Sequence, residues 1–398
     1  MMNASEALNI ILDSVQPLGL ITISLPRALG HALGETIVAQ EDVPPFDNAA
    51  MDGYAVRSED LGRPPAVLKI IGEVSAGSVV DGSLKSGEAV AIMTGGRIPS
   101  GSDAVVQVEW TEELRKFEVK VLRPVAQGQN IRKRGNDIQK DAVVLEKGHV
   151  LRPQEIGVLA SLGREFVEVY RPVRVAILTT GNEIVDIDKP LIDGKIRNSN
   201  SYSLRALVQD LGGEPIDGGI ARDEREEIRE KVLRGFDADV LITSGGVSVG
   251  KHDHVREVLK EIGTDMKFWK VNIKPGMPMT YGLYRGKPVF GLPGNPVSTV
   301  VTFLQFVKPA LLKMMGHRKA SSSVKLHATL GHDIKKTDGK RHFIRGILED
   351  NNGKLIVRDT GSEVSNVLSS LTKANCLVII PENKELIHKG DEVEVELL

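Results

Sequence analysis

The chain has 398 residues, roughly enough for two to three domains, and its 41% hydrophobic and 26% charged content is that of a globular protein. A formal net charge of −2 and an aromatic content of 4% exclude a field that recruits nucleic acid or an anionic membrane, and a surface for base stacking. The single cysteine, Cys376, excludes an intrachain disulfide framework and a thiolate-rich metal site, and its setting in CLVII reads as a buried core thiol.

Leu8, Ile11, Leu12 and Val15 recur at helical spacing and predict an amphipathic helix over 3–15, with Asn3 and Glu6 as a capping box. A strand-like region follows to about residue 42. Over 43–137, short runs such as VLKIIGEV, EAVAIM and DAVVQVEW alternate with Gly/Pro/Ser turns, the pattern of a small, mostly β domain. Residues 138–170 read as strand, turn and helix. The period then switches. Strand 173–178 is followed by a helix with Leu204, Leu207, Val208 and Leu211 on one face, closed by Gly212 and Gly213. A charged helix near 223–235, a strand at 239–243, a helix near 251–262 and a long helix from Pro296 complete an α/β pattern, which means a parallel sheet covered on both faces. From about 321 onward VKLHATL, HFIRGIL, KLIVRD, CLVII and EVEVEL predict an all-β domain or barrel. No run of about 18 apolar residues occurs, and no basic segment leads into an apolar one at the N-terminus, so the expected compartment is the cytoplasm, with no membrane contact.

Two strand–loop–helix crossings, VRVAILTTGNEI and ADVLITSGGVSVGKHD, end in small residues that leave backbone N–H groups uncovered, a cradle for an anionic or heterocyclic ligand. Each sets a carboxylate beside the loop, Glu183 and Asp253. GGVSVGKH (245–252) nearly matches a nucleotide phosphate loop, but His252 stands where the Mg²⁺-binding hydroxyl belongs. A purely structural turn and a cradle for another anion both stay open. FDNAAMDGYAV and IMTGGRIPSGSDAVV, carrying Asp47, Asp52 and Thr94, read equally as capped turns. IRKRGNDI is either a solvated basic face or a clamp in which Arg132 forks onto an oxyanion. In WKVNIKPGMP, Lys270 and Lys274 lie four apart, so within one strand both ammonium groups would share a face. GLPGNPVS is a structural junction whose amides could line a ligand. The histidines form no zinc signature. Asp52, Asp137, Glu183, Asp223 and Asp253 all lie in or beside loops. Two like charges ~4 Å apart cost on the order of 4 kcal/mol at an effective dielectric near 20, so carboxylates gathered at an anionic substrate call for a hard cation, Mg²⁺.

As an ordered set, PPFDNAAMDGYAV, EVSAG, MTGGRIPSGSDAVV, RGNDI, TTGNEI, SGGVSVGKHD, IKPGMP and GLPGNPVS resemble the molybdopterin molybdenumtransferase family, MoeA and the gephyrin E domain, over nearly the whole chain. The resemblance implies an α/β multidomain homodimer. Its doubly wound, mostly parallel, adenylyltransferase-like sheet would comprise 171–320 with the N-terminal helix 1–19 packed on it. A linking domain would combine 20–43 with 138–170, an inserted β-rich domain would span 44–137, and a C-terminal β barrel 321–398. The site would lie between the α/β domain of one subunit and domains of the other. The family's reaction uses Mg²⁺ to insert molybdate into adenylylated molybdopterin with release of AMP.

Carried over residue by residue, Glu183, Asp223 and Asp253 would hold Mg²⁺ and water at the pyrophosphate. Lys270, Lys274 and Arg132 would balance charge on molybdate or AMP. Asp52, Thr94 and Asp137 would reach in from the inserted domain. Ser244, Gly245, Gly246 and Ser248 would cradle the pterin or its phosphate, with Pro293, Gly294, Asn295, Arg345 and Ser365 binding substrate. Met277 departs from a family lysine, and Asn182 and Asn136 from family acids, which leaves molybdate and tungstate both open. Transient contact with the adenylyltransferase is expected. The rival readings are the adenylyltransferase reaction itself, and a gephyrin-like scaffold, which would need a trimerising domain and a long linker that the sequence does not show.

Overall fold

The computed structural model of the chain describes residues 1–75, 77–78, 82–115, 117–246, 254–318, 324–361 and 364–398. The opening helix is Ala4–Ser14, and Asn3 caps it by accepting a hydrogen bond from Ser5 N–H at 2.8 Å. Glu6 takes no part, so the expected capping box is only a one-sided cap. The amide of Asn3 turns instead to Glu382, 3.3 Å away, which ties the helix start to the C-terminal region. Ala4, Ala7, Ile11 and Val15 form the buried stripe.

That stripe joins the core of a six-stranded sheet in the order Glu214–Ala221, Arg174–Thr180, Val240–Ser244, Lys287–Leu292, Thr280–Tyr284, Asp265–Phe268. The first four strands pair in parallel and the last two pairings are antiparallel, so only Thr280–Tyr284 runs against the rest. Strict alternation splits each strand between two cores. Val175, Ile177, Val240 and Ile242 face the core that holds Leu204 and Val208, while Ala176, Leu178 and Leu241 face the one that holds Ile228 and Val232. Helices Ser199–Asp210 and Arg225–Gly235 therefore cover opposite faces. The chain leaves Arg174–Thr180 for one neighbour, Glu214–Ala221, and returns to the other, Val240–Ser244, so a crevice opens at the carboxyl ends of these strands.

The segment Pro296–Met314 is one continuous helix, with a π turn at Phe303–Val307. By length and composition it could cross a membrane, yet 67% of its apolar window is buried in the fold. Inspection of apolar runs misses it because Gln305, Lys308 and Lys313 interrupt the sequence.

A second six-stranded sheet spans Gly53–Val56 to Glu118–Val121, with separate apolar clusters around Val106 and around Val105 on its two faces. Leu25, Leu33 and Ile37 share another core with Leu151, Leu159 and Val169, so two distant stretches of chain build one unit. Near the C-terminus, Arg341–Asn351, Lys354–Asp359, Lys325–Leu330, Glu392–Leu397 and Cys376–Ile380 pair in turn. The last strand pairs back with the first, which closes a barrel around Val357, Val378 and Val395. The two-residue strand Ile273–Lys274 joins it in parallel, Ile273 opposite Arg341 and Lys274 opposite His342, and so stitches barrel to α/β sheet.

Candidate functional site

The carboxyl edge of the α/β sheet gathers several of the loop residues singled out by sequence. Ser244 ends its strand fully buried, and Gly245 donates its N–H to Leu292 O at 3.1 Å, bringing the two glycine-bearing loops side by side. Gly245 has φ +90°, and a Cβ there would sit 2.6 Å from Thr180 O; at Gly246, φ +64°, it would sit 2.8 Å from Thr180 Oγ1. Only glycine lets three strand ends close this tightly. Ser248 and Asp253, with most of the 245–252 loop, lie outside the described residues.

One side chain that sequence reasoning missed holds this edge together. Asn200, 8% exposed, donates Nδ2 to Ser244 Oγ at 2.9 Å and to Gly294 O at 2.8 Å. Its neighbour Asn198 caps the same helix, accepting from Ser201 N–H at 3.2 Å and from Thr179 Oγ1 at 3.2 Å. The signal was present in RNSNS: polar residues at helical positions that the amphipathic pattern directs inward.

Glu183 and Asp223 flank the edge. Asn182 N–H donates to Asp223 Oδ2, and Asp223 N–H to Asn182 Oδ1, both at 3.2 Å, which locks the two loops reciprocally. The carboxylate of Glu183 folds back over Gly181, where a Cβ would meet Oε2 at 2.6 Å. Thr180 Oγ1 and Thr243 Oγ1, at the ends of two of these strands, are buried without a hydrogen-bond partner among the described residues. The side-chain donors named at this edge, two carboxylates and two hydroxyls, are all oxygens, the ligand type a hard divalent cation takes. Among the described residues no three His, Cys, Asp or Glu side chains converge, Asp253 being outside them.

The expected convergence of Lys270 and Lys274 on one strand face does not occur. The strand Asp265–Phe268 ends before Lys270, a bend follows, and Lys274 belongs to the separate strand Ile273–Lys274. The break is enforced by the N-terminus, since Asn272 donates its N–H to Met2 O at 2.8 Å. Lys274 instead lines a cavity of about 480 Å³ with Met277, Pro293, Asn295, Lys340 and Ser365; Lys270 is not part of its wall. Asn295 Nδ2 donates to Ser365 Oγ at 2.8 Å across this cavity. Arg345 is 2% exposed, on the face of its strand opposite the barrel-core residue Ile344, with Nε donating to Ser370 Oγ at 3.2 Å and Nη2 to Val364 O at 3.3 Å. The Nη2 bond ties this strand to the segment that carries Ser365.

The remaining candidates form a second patch on the inserted sheet. Asp52 Oδ1 accepts from Thr94 N–H at 2.6 Å and from Thr94 Oγ1 at 2.8 Å, and these two bonds, the backbone one first, hold its carboxyl below the usual carboxylate range. In the basic run, Lys133 pairs with Asp47 at 2.8 Å and Arg134 with Asp42 at 2.5 Å. Arg132, opposite Asn48 in register, has no carboxylate partner among the described residues. Asp137 is exposed, its N–H bound to Val43 O at 3.0 Å. Among the described residues no hydrogen bond or ion pair joins this patch to the carboxyl edge of the α/β sheet within one chain.

The chain matches three family models in succession: "MoeA N-terminal region (domain I and II)" over residues 2–163, "Probable molybdopterin binding domain" over 176–313, and "MoeA C-terminal region (domain IV)" over 327–398. A Haemophilus influenzae relative named molybdopterin molybdenumtransferase is 37% identical over 376 residues, 94% of this chain and 93% of the relative. One of the same name from Staphylococcus aureus is 36% identical over 98% of this chain and 94% of its own length. The crystal structure of the molybdopterin biosynthesis MoeA protein from Pyrococcus horikoshii OT3 superimposes with a TM-score of 0.87 at 35% identity, covering 100% of both chains. With these matches spanning its length, the chain belongs to the molybdopterin molybdenumtransferase (MoeA) family.

Proposed function

We propose that this protein is a molybdopterin molybdenumtransferase: it cleaves the pyrophosphate link of adenylylated molybdopterin, releases AMP, and inserts molybdenum or tungsten from the oxyanion at the dithiolene. The observation that carries the reading is the carboxyl edge of the α/β sheet. There a glycine cradle, two carboxylates and a lysine-lined cavity adjoin one another, on a chain related along nearly its full length to proteins of that name.

In this reading the cradle at Ser244, Gly245 and Gly246 takes the pterin or its phosphate through backbone N–H groups. Glu183 and Asp223, with Asp253, would hold Mg²⁺, whose charge offsets that of the pyrophosphate. Lys274 attracts the tetrahedral dianion into its cavity, and Asn295 and Ser365 supply hydrogen bonds there. Asp52, Thr94, Arg132 and Asp137 would come from a second copy in a homodimer, which accounts for their separation from the edge within one chain. The division into helix, linking, inserted, α/β and barrel units, a cytoplasmic location, and transient substrate transfer from the adenylyltransferase belong to the same proposal. The test is AMP release from adenylylated molybdopterin with molybdate and Mg²⁺. Activity that depends on both, and is lost in Asp253→Asn, is expected. No AMP with either molybdate or tungstate would sink the reading, and adenylylated product from ATP and unmodified molybdopterin would favour the adenylyltransferase instead.

A further inference from the structure

The turn that leads into the barrel's longest strand is clamped from three directions. Asp338 Oδ1 accepts from Lys340 N–H at 3.2 Å and lies 2.9 Å from His342 Nε2. Lys336, 5% exposed, donates Nζ to Lys340 O at 2.6 Å and to Glu382 O at 3.0 Å. Asn272, from the α/β side, donates Nδ2 to Gly339 O at 2.9 Å. Two residues tied to this clamp, Lys340 and Lys274, line the 480 Å³ cavity. Lys340 is the tip of the clamped turn, and Lys274 is the register partner of His342 across the parallel seam.

Among the described residues His342 is thus the one side chain bonded to the turn while its backbone is paired with the lysine strand. It is 3% exposed, with Ile380 on its other flank. An apolar residue would fill that barrel position without desolvating an imidazole, so the polar pair calls for a reason beyond packing. We propose that the His342–Asp338 pair is a positioning device for the oxyanion cavity, fixing Lys340 and Lys274 at the spacing that binds a tetrahedral dianion. The proposal rests on the reading of that cavity as the oxyanion site.

The groups facing the ring are Asp338 from its own turn, Lys274 from the seam strand and Lys336 from the preceding strand, while Arg341 is engaged with Glu382. Burial, the largest influence, and the two lysines push the imidazole below its ordinary value, against the pull of Asp338. A neutral ring donates from Nε2, since the carboxylate can only accept. The clamp therefore needs a neutral donor rather than a charge, and glutamine can replace histidine in it.

Molybdate binding to the full-length chain, measured by calorimetry, tests this. Wild type binds and Lys274→Met weakens binding. His342→Leu and Asp338→Ala raise the dissociation constant about tenfold, whereas His342→Gln stays within about threefold. In AMP-release assays His342→Leu and Asp338→Ala raise the molybdate KM and leave kcat unchanged. In a Lys340→Met background His342→Leu adds less than it does alone, because both act on the same lysine. Asp338→Ala, in an exposed turn, decides the matter if His342→Leu does not fold. Wild-type affinity in Asp338→Ala and His342→Leu, or effects that multiply independently with Lys340→Met, overturns the inference while the cavity reading stands. If wild type takes up no molybdate, the cavity reading falls and this inference with it.

Discussion

Asn200 is the sharpest place to perturb the carboxyl edge, because its amide is the only described side chain bonded to both glycine-bearing loops. Replacement by Ala removes a donor from Ser244 Oγ, which is 1% exposed, and from Gly294 O, which water can reach. An unsatisfied buried group costs about 1–3 kcal/mol and a solvated one less, so the loss is about 2–3 kcal/mol. If that energy holds the cradle closed, kcat/KM for AMP release falls roughly 30- to 150-fold. Asp at the same position is closer in shape, yet it can no longer donate to Gly294 O and sets a carboxylate against that carbonyl oxygen. The order expected is therefore wild type, then Asn200→Ala, then Asn200→Asp as the worst. The assay is AMP release at subsaturating substrate, with circular-dichroism melting to separate site loss from unfolding. If Asn200→Asp matches wild type, or loses less than Asn200→Ala, amide donation is not what joins the loops.

Gly245→Ala places a methyl 2.6 Å from Thr180 O at φ +90°; backbone strain alone is on the order of 1–3 kcal/mol, and a lowered melting temperature with lost substrate binding should result. Thr94→Val removes one of the two bonds to Asp52, so the carboxyl value rises toward its ordinary range, a shift that carbon-detected NMR titration of Asp52 would report. Glu155, held at about 2 first by Arg152 and buried beside it, contributes stability that is complete above its unfolded value of 4.5 and lost as pH falls toward 2. Glu155→Gln should therefore cost ~1–2 kcal/mol near neutral pH, discounted for the exposed Arg152, and progressively less in acid; urea titrations at the two extremes would show the gap closing.

The α/β sheet was legible because its strands alternate between two covered faces and its loops are glycine-bearing strand ends, both of which are local properties of sequence. Glu183, Asp223, Ser244 and Gly245 could be named for that reason. Three outcomes depended on distant chain. Lys270 and Lys274 are separated because Met2 captures Asn272. Arg345 is buried because its strand turns the face it shares with Phe343 onto the α/β core while Ile344 fills the barrel, so HFIRGIL gives no sign of which face is covered. Asn200 is buried because two loops meet over the start of its helix. Periodicity identifies the faces of an element, while only tertiary closure decides which polar side chain ends up between them.

The core that Leu33 and Ile37 share with Leu151 and Leu159 bears on how the sheet between them in sequence can vary. The chain departs and re-enters through neighbouring backbone: Val43 N–H reaches Ile138 O at 2.7 Å, and Ala39 N–H reaches Ala142 O at 3.0 Å. Everything between is a module hung on a two-stranded neck. Its length is nearly free thermodynamically, since loop-closure entropy grows only logarithmically, yet the core shared by Leu33 and Leu151 must wait for that long excursion to return before it can form. Relatives could exchange the whole module at the neck and keep both flanks intact, while folding speed would bear the cost of every such exchange.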